Sequence, residues 1–469
     1  MTQPKIENIQ VWEDDPGTPP SVRIPIRRAA PDLNQPPLPT GIHGPAPTES
    51  GDQPGTPEFR YWAAADALGR ASGFWGPLMP EGVGWHRTVG DALVAVLDAG
   101  DDLNAYYDRE GVRFFQHTVA AVTVHSGESP DVVCHEHGHA VLDALRPQLW
   151  DAASAEVAAL HESFGDMSAL LSALQVESLC EAVLAETQGD IATTSRLSRL
   201  AEQLGWAIRR TQPTAVDADC LRDAANRFFY RDPLTLPPRA PATELASEPH
   251  SFSRVFTGAF LEALAGVFRQ QQNRNADGLA QAGNILGRLL VAGLVAAPVV
   301  PGYFAQVAAH MIAADLDAYH GEYGPALRSA FVHHGIVSLD GVAALTPQTV
   351  ERHAAAIAGV APGPDAALAQ VAIPGEAYGL TEPLTLRAPA QAARFSISGA
   401  DPVAGSLQPA QADVVATSFV EDLFRQGRVA VPEEYRTAGA VMIDGSRIRT
   451  HEIAHTDDEG LTLVRRVFT

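Results

Sequence analysis

Apolar residues recur at three- and four-residue intervals through most of residues 129–337. SALLSALQVESLCEAVLAE, SRLSRLAEQLGWAIRR, FTGAFLEALAGVFRQQ and YFAQVAAHMIAADLDAY all carry that spacing, which lines one face of an α-helix. Upstream, WAAADALGRASGFWG predicts another helix. GDALVAVLDAGDDLNAYYDREGVRFFQ predicts short strands joined by turns, and VAAVTVHSG one more strand. Beyond Val337 the texture changes again. Two helices are expected, over PQTVERHAAAIAGV and DVVATSFVEDLFRQG, among strand-like runs such as ARFSISG, AVMIDGSRIR and LTLVRRVF. The pattern predicts an α+β protein in four parts. A Pro-rich extended arm covers 1–55, strands leading into helices cover 56–170, a helical subdomain covers 171–337, and an accessory α+β domain covers 338–469.

Composition sharpens three points. Thirteen of the 35 prolines fall within residues 1–57, and a stretch so rich in proline favours extended segments over a packed core. The chain has 33 basic and 56 acidic residues, a net charge of −23, so its surface repels phosphate backbones and nucleic acid is not the expected partner. Cys134, Cys180 and Cys220 are odd in number and widely spaced without a CxxC pair, which predicts reduced, buried thiols. The uncharged run from Leu289 to Ala314 contains Pro298, Pro301, Gln306 and His310, so buried helices broken by prolines are expected there, with no membrane span. MTQPKIENIQVWEDD has no basic-then-apolar signal pattern, which leaves a cytoplasmic location or export by a non-classical route. Nothing in the sequence specifies an oligomeric state.

The candidate chemistry lies in SPDVVCHEHGHAVLDAL, where His135, Glu136 and His139 form an HExxH motif. Residues i and i+4 of a helix project from one face, so the two imidazoles can share one metal ion. Glu136 can then reach a water as general base. Pro130 and Asp131 mark a helix start. A bland alternative is two surface histidines on a helix. EVAALHESFGDMSALL weighs against it, because Glu162 and Asp166 stand four apart on a second helix. A third ligand from that helix leaves one metal position open, and Asp166 can orient a ligating histidine through its other nitrogen. His137 is expected to point away from the metal, and His161 to pack beside the ligands. A second HExxH, His451 to His455, stands in a strand pattern followed by Thr456-Asp457-Asp458-Glu459-Gly460. On a strand, residues four apart are separated by about 13 Å, too far for one zinc, so a hairpin is expected.

These residues resemble the thermolysin-like zinc metallopeptidases, the gluzincins whose third ligand is a glutamate. The resemblance implies a zincin-like fold, with a small mixed sheet subdomain and a mainly helical one flanking the active cleft. It implies zinc on His135, His139 and Glu162, Glu136 as base, and Asp166 and Asp143 supporting the ligands. LNAYYDREG resembles the family's substrate-binding edge strand, so Asn104, Ala105 and Tyr106 would bind the substrate backbone, with Tyr107 flanking. DCLRDAANRFFYRDP makes Arg222 the residue to hold a substrate carbonyl. EPHSFSRVFTGAFLEAL makes His250 the residue to stabilise an oxyanion. The match runs from residue 58 to 337 in the family's order.

Several positions depart from the family. Trp150 stands where it has an active-site tyrosine, HESFGD replaces NEAISD, and neither Glu244 nor Glu248 falls at the acidic position expected beside His250. Asp131 occupies one calcium-ligand position, but Ala173 replaces a second carboxylate, so calcium is not a firm implication. The implied activity is zinc-dependent endopeptidase hydrolysis of peptides or proteins. The alternative is a catalytically weak or inactive scaffold of the same fold.

Overall fold

The structure is a computed structural model that describes residues 7–49, 51, 53–345, 368–389, 412–440 and 449–465. The helix expected over PQTVERHAAAIAGV, the strand over ARFSISG and most of AVMIDGSRIR lie outside them. The described residues form an α+β protein.

The Pro-rich segment is more than an arm. β1 (Asn8–Val11) pairs antiparallel with β2 (Ile26–Ala29), and Ile9, Val11, Trp12 and Leu38 are buried. Trp12 meets Phe59 edge-on at 5.2 Å. Prolines flank these apolar residues without preventing their burial. The link between them is also electrostatic. Buried Asp15 accepts from Ser129 Oγ at 2.6 Å and from the Gln203 amide at 2.9 Å. Arg196 bonds Glu13 and Asp14, and Arg23 pairs with Glu202 at 2.8 Å.

β3 (Thr40–Ile42) and β4 (Leu93–Val96) join β5 (Ala105–Tyr107) and β6 (Val112–Phe114) in a mixed sheet ordered β3-β4-β6-β5. β5 pairs antiparallel with β6 on one side only, so it is an edge strand. A hairpin of β7 (Gln116–Val119) and β8 (Val122–His125) follows. α1 (Pro57–Trp75) packs against α2 (Pro130–Leu145) and α3 (Ala155–Ala173). Next come α4 (Glu177–Thr187) and α5 (Glu202–Thr211), with the short pair β9 (Arg199–Leu200) and β10 (Arg222–Asp223). α6 (Pro249–Arg269), α7 (Ala276–Ala296), α8 (Tyr303–Ala318), α9 (Gly324–His333) and α10 (Leu339–Ala344) complete the helical region. One apolar core runs without a break from Leu38 to Leu345. α7 is long and apolar enough to cross a membrane, but 61% of its most apolar stretch lies inside the fold, against α4, α6 and α8. The uncharged run is interrupted as expected: α7 ends at Ala296 and α8 begins at Tyr303. The three cysteines are free and buried.

Two local features set the geometry between α2 and α3. Each helix begins with a serine cap: Ser129 accepts from the Val132 amide and Ser154 from the Val157 amide. The helices then approach so closely that side chains are excluded. A Cβ on Gly165 would lie 2.6 Å from the His135 ring, and one on Gly138 would lie 2.7 Å from Ser168 Cβ. The glycine in HESFGD, a departure from the family pattern, is therefore what seats His135 against α3.

The C-terminal residues build a separate core. β11 (Leu368–Ile373), β12 (Leu384–Pro389), β13 (Val429–Ala430), β14 (His451–Thr456) and β15 (Gly460–Arg465) form a sheet ordered β11-β12-β15-β14-β13, covered by α11 (Ala412–Arg425). β14 and β15 are the hairpin expected around the second HExxH. This unit docks beside the cleft: the Ala153 amide donates to Arg387 O at 2.8 Å, Arg239 bonds Gln426 O, and Arg428 pairs with Glu248 at 3.3 Å.

Candidate metal centre

α2 presents His135, Glu136 and His139 to a cleft of about 1610 Å³, and their donor atoms lie within 4.8 Å of one another. α3 brings Glu162 opposite. Its Oε2 lies 3.5 Å from His135 Nε2, and its Oε1 lies 3.8 Å from His139 Nε2. A tetrahedral ion with bonds near 2.1 Å separates its donors by about 3.4 Å. The observed spacings fit such an ion. Glu136 belongs to the same group of donors, while Glu162 offers one oxygen to each imidazole and is a second candidate for the third donor. Buried Glu136 Oε2 has no hydrogen-bond partner among the described residues, as expected of an oxygen that faces an ion or water; His139 Nδ1, on the side of its ring away from Glu162, has none either.

Asp166 orients His135. His135 Nδ1 and Asp166 Oδ1 are 3.0 Å apart, and since the carboxylate can only accept, Nδ1 carries the hydrogen and Nε2 faces Glu162. Arg222 anchors Asp166 through Nη2 (2.7 Å) and Nε (3.1 Å). Arg222 thus reaches the cleft already engaged, as a clamp on the residue behind the ligand. Burial works against the charge on Asp166, but Arg222 and His135 outweigh it and hold the carboxyl at about 2. For His135 burial is likewise overcome, by Asp166 and Glu162, and the imidazole rises to about 10. Burial, helped by the charge of Glu162, pushes Glu136 up to about 7, and burial dominates at His139, which falls to about 3.

His250 stands at the start of α6, its Nε2 3.1 Å from Glu162 Oε2. Its acidic partner, not identifiable from spacing, is Glu248. Nδ1 of His250 and Oε1 of Glu248 are 2.7 Å apart, while Oε2 of Glu248 accepts from the Ser251 amide and caps α6. Burial opposes the charge on His250, but Glu162 and Glu248 raise it above the ordinary imidazole range. Sequence reasoning missed Glu248 because a residue two before the histidine turns its side chain back only when it sits at a helix cap. Glu-Pro at the head of an apolar helix was the available signal.

Other expected residues fall as follows. Asn104 precedes the edge strand and accepts from the Ala105 amide at 3.0 Å, and Ala105 and Tyr106 lie on β5 at the cleft. Asp143 does not touch a ligand imidazole. Its oxygens accept from Tyr107 OH (2.9 Å) and Arg109 (2.6 Å), because α2 turns it toward the sheet, so it fixes β5 to α2 and does not support a ligand. Trp150 is half-buried and flanked by the guanidinium groups of Arg109 (4.9 Å) and Arg465 (4.3 Å). His137 points away from the ligands, to Ser72 Oγ at 3.0 Å. Asp131 accepts from the Ala201 amide and faces Asp14 and Asp15, with Arg23 close by. Among the described residues a second group, Glu262, His333 and His334, also brings donor atoms together, at the end of α9. No family model matches the chain, and no curated protein matches it.

Proposed function

We propose that the protein is a zinc-dependent endopeptidase with a zincin-like fold, of the thermolysin-like gluzincin kind. The observation that carries this reading is the convergence of His135, His139 and both oxygens of Glu162 at spacings that fit one ion, with His135 held from behind by Asp166. A zinc ion bound there would polarise a water and a peptide carbonyl. Glu136 takes a proton from the attacking water and hands it to the leaving amine. His250, kept charged by Glu248, donates to the oxygen that gains negative charge. Arg222 and Asp166 hold the His135 ring in one orientation. A peptide is the favoured substrate because β5 is the edge strand of the described sheet, where an extended chain can be laid alongside, with Asn104 at its head.

The test uses the full chain loaded with one equivalent of zinc and a broad peptide library. Cleavage is expected, and Glu136→Gln should keep the zinc while losing a hundredfold or more of the rate, of the order general-base catalysis supplies. Cleavage by Glu136→Gln at the unaltered rate overturns the mechanism. Stoichiometric zinc with no cleavage at any pH selects the scaffold alternative, which Trp150, lacking a hydroxyl at the family's tyrosine position, favours.

A further inference from the structure

The cleft is walled on one side by the C-terminal unit, and β15 ends there at Arg465. The Arg465 guanidinium stacks 4.3 Å from the Trp150 ring centre, which fixes its position as well as contributing cation–π attraction. The neighbouring cations are engaged: Arg109 with Asp143, Arg222 with Asp166, Arg387 with Glu459 and Arg428 with Glu248. No carboxylate among the described residues lies within ion-pair distance of Arg465. Beside it His161 is 1% exposed and lines the same cleft, and neither of its ring nitrogens has a hydrogen-bond partner among the described residues. Trp150 links the two, its ring centre 6.1 Å from that of His161.

The charges point the same way. Among the described residues, Arg465 faces the cleft with carboxylates acting on it only from beyond ion-pair distance, Glu162, Asp143 and Glu136 among them. A half-buried guanidinium and a buried imidazole, both beside one indole, are the donors that a planar carboxylate would engage.

We propose that Arg465, His161 and Trp150 form a subsite that binds a carboxylate of the substrate. This rests on the peptidase reading for its substrate class, though the recognition itself needs no turnover. The carboxylate has two sources: an aspartate or glutamate side chain near the scissile bond, or the free C-terminus of a short peptide. Arg465 acts here as a specificity residue and takes no part in moving protons.

The experiment measures binding by fluorescence anisotropy on the full chain, both metal-depleted and zinc-loaded in the Glu136→Gln background. The probes are labelled peptides in matched pairs: glutamate against glutamine at successive positions, and free against amidated C-termini. The carboxylate member should bind about ten- to a hundredfold tighter, the range of a charge-assisted hydrogen bond. The pair that shows the difference identifies the source. Arg465→Gln should bring the ratio to near one, and Arg465→Lys should restore part of it. A ratio near one in the chain with Arg465 intact overturns the proposal without recourse to a variant, and so does a ratio that survives Arg465→Gln. A preserved ratio with no hydrolysis by the chain with Glu136 intact would remove the peptidase reading and leave the subsite.

Discussion

Asp166→Asn isolates the support behind the metal centre. Asp166 accepts from His135 Nδ1 with one oxygen and from Arg222 with both. Asparagine keeps the volume but offers only one acceptor. If its carbonyl turns to His135, its amide faces the donors of Arg222, and the reverse rotamer leaves His135 facing a donor. Loss of such a support costs about 10–100-fold in metal affinity, or about 1.4–2.7 kcal/mol. A second cost is independent of metal. Arg222 loses its carboxylate in a buried setting, where removing one partner costs about 3–5 kcal/mol, and the lower end applies because Arg222 borders the cleft. Zinc affinity should be measured by competition with a chelator at a temperature where both proteins are folded, and stability by thermal unfolding of the metal-depleted forms. The reasoning predicts both losses together. A folded Asp166→Asn protein that binds zinc as tightly as the parent refutes the assignment of Asp166 and weakens that of His135.

The same geometry supports further predictions. Gly165→Ala puts a methyl group into the His135 ring and should lower zinc affinity at least as much as Asp166→Asn; an unchanged chelator competition curve would show that α2 and α3 can separate without cost. Glu156 is 4% exposed at the start of α3, and burial pushes it up to about 7 even though its Oε1 accepts from the Phe304 amide. A carboxyl raised in the folded state contributes stability that is complete below its ordinary value and lost as pH rises through about 7. Glu156→Gln should therefore stabilise by up to about 3 kcal/mol at pH 8 and by little at pH 4.5. Equal melting differences at the two pH values would contradict this.

The sequence exposed those parts of the molecule that depend on local spacing. His135, Glu136 and His139 project as a helix requires, Glu162 and Asp166 follow on the next helix, and β14–β15 forms the hairpin that its strand pattern demanded. What escaped detection depends on distant partners. Asp14 and Asp15 look like ordinary acidic residues within the proline-rich segment, and only the fold brings them to Ser129, Arg196 and Gln203. Asp143 matched a family pattern but its rotation toward the sheet commits it to Tyr107 and Arg109. Arg465 carried no signal at all. A single arginine in a terminal strand acquires meaning only when that strand is laid against Trp150.

Arg465 also sets an order in time. During synthesis the coils bearing His135 and Glu162 emerge long before the strand that bears Arg465, and domains generally fold in the order they appear. A nascent chain can therefore bring His135 and Glu162 together before the strand that walls the other side of the cleft has been made.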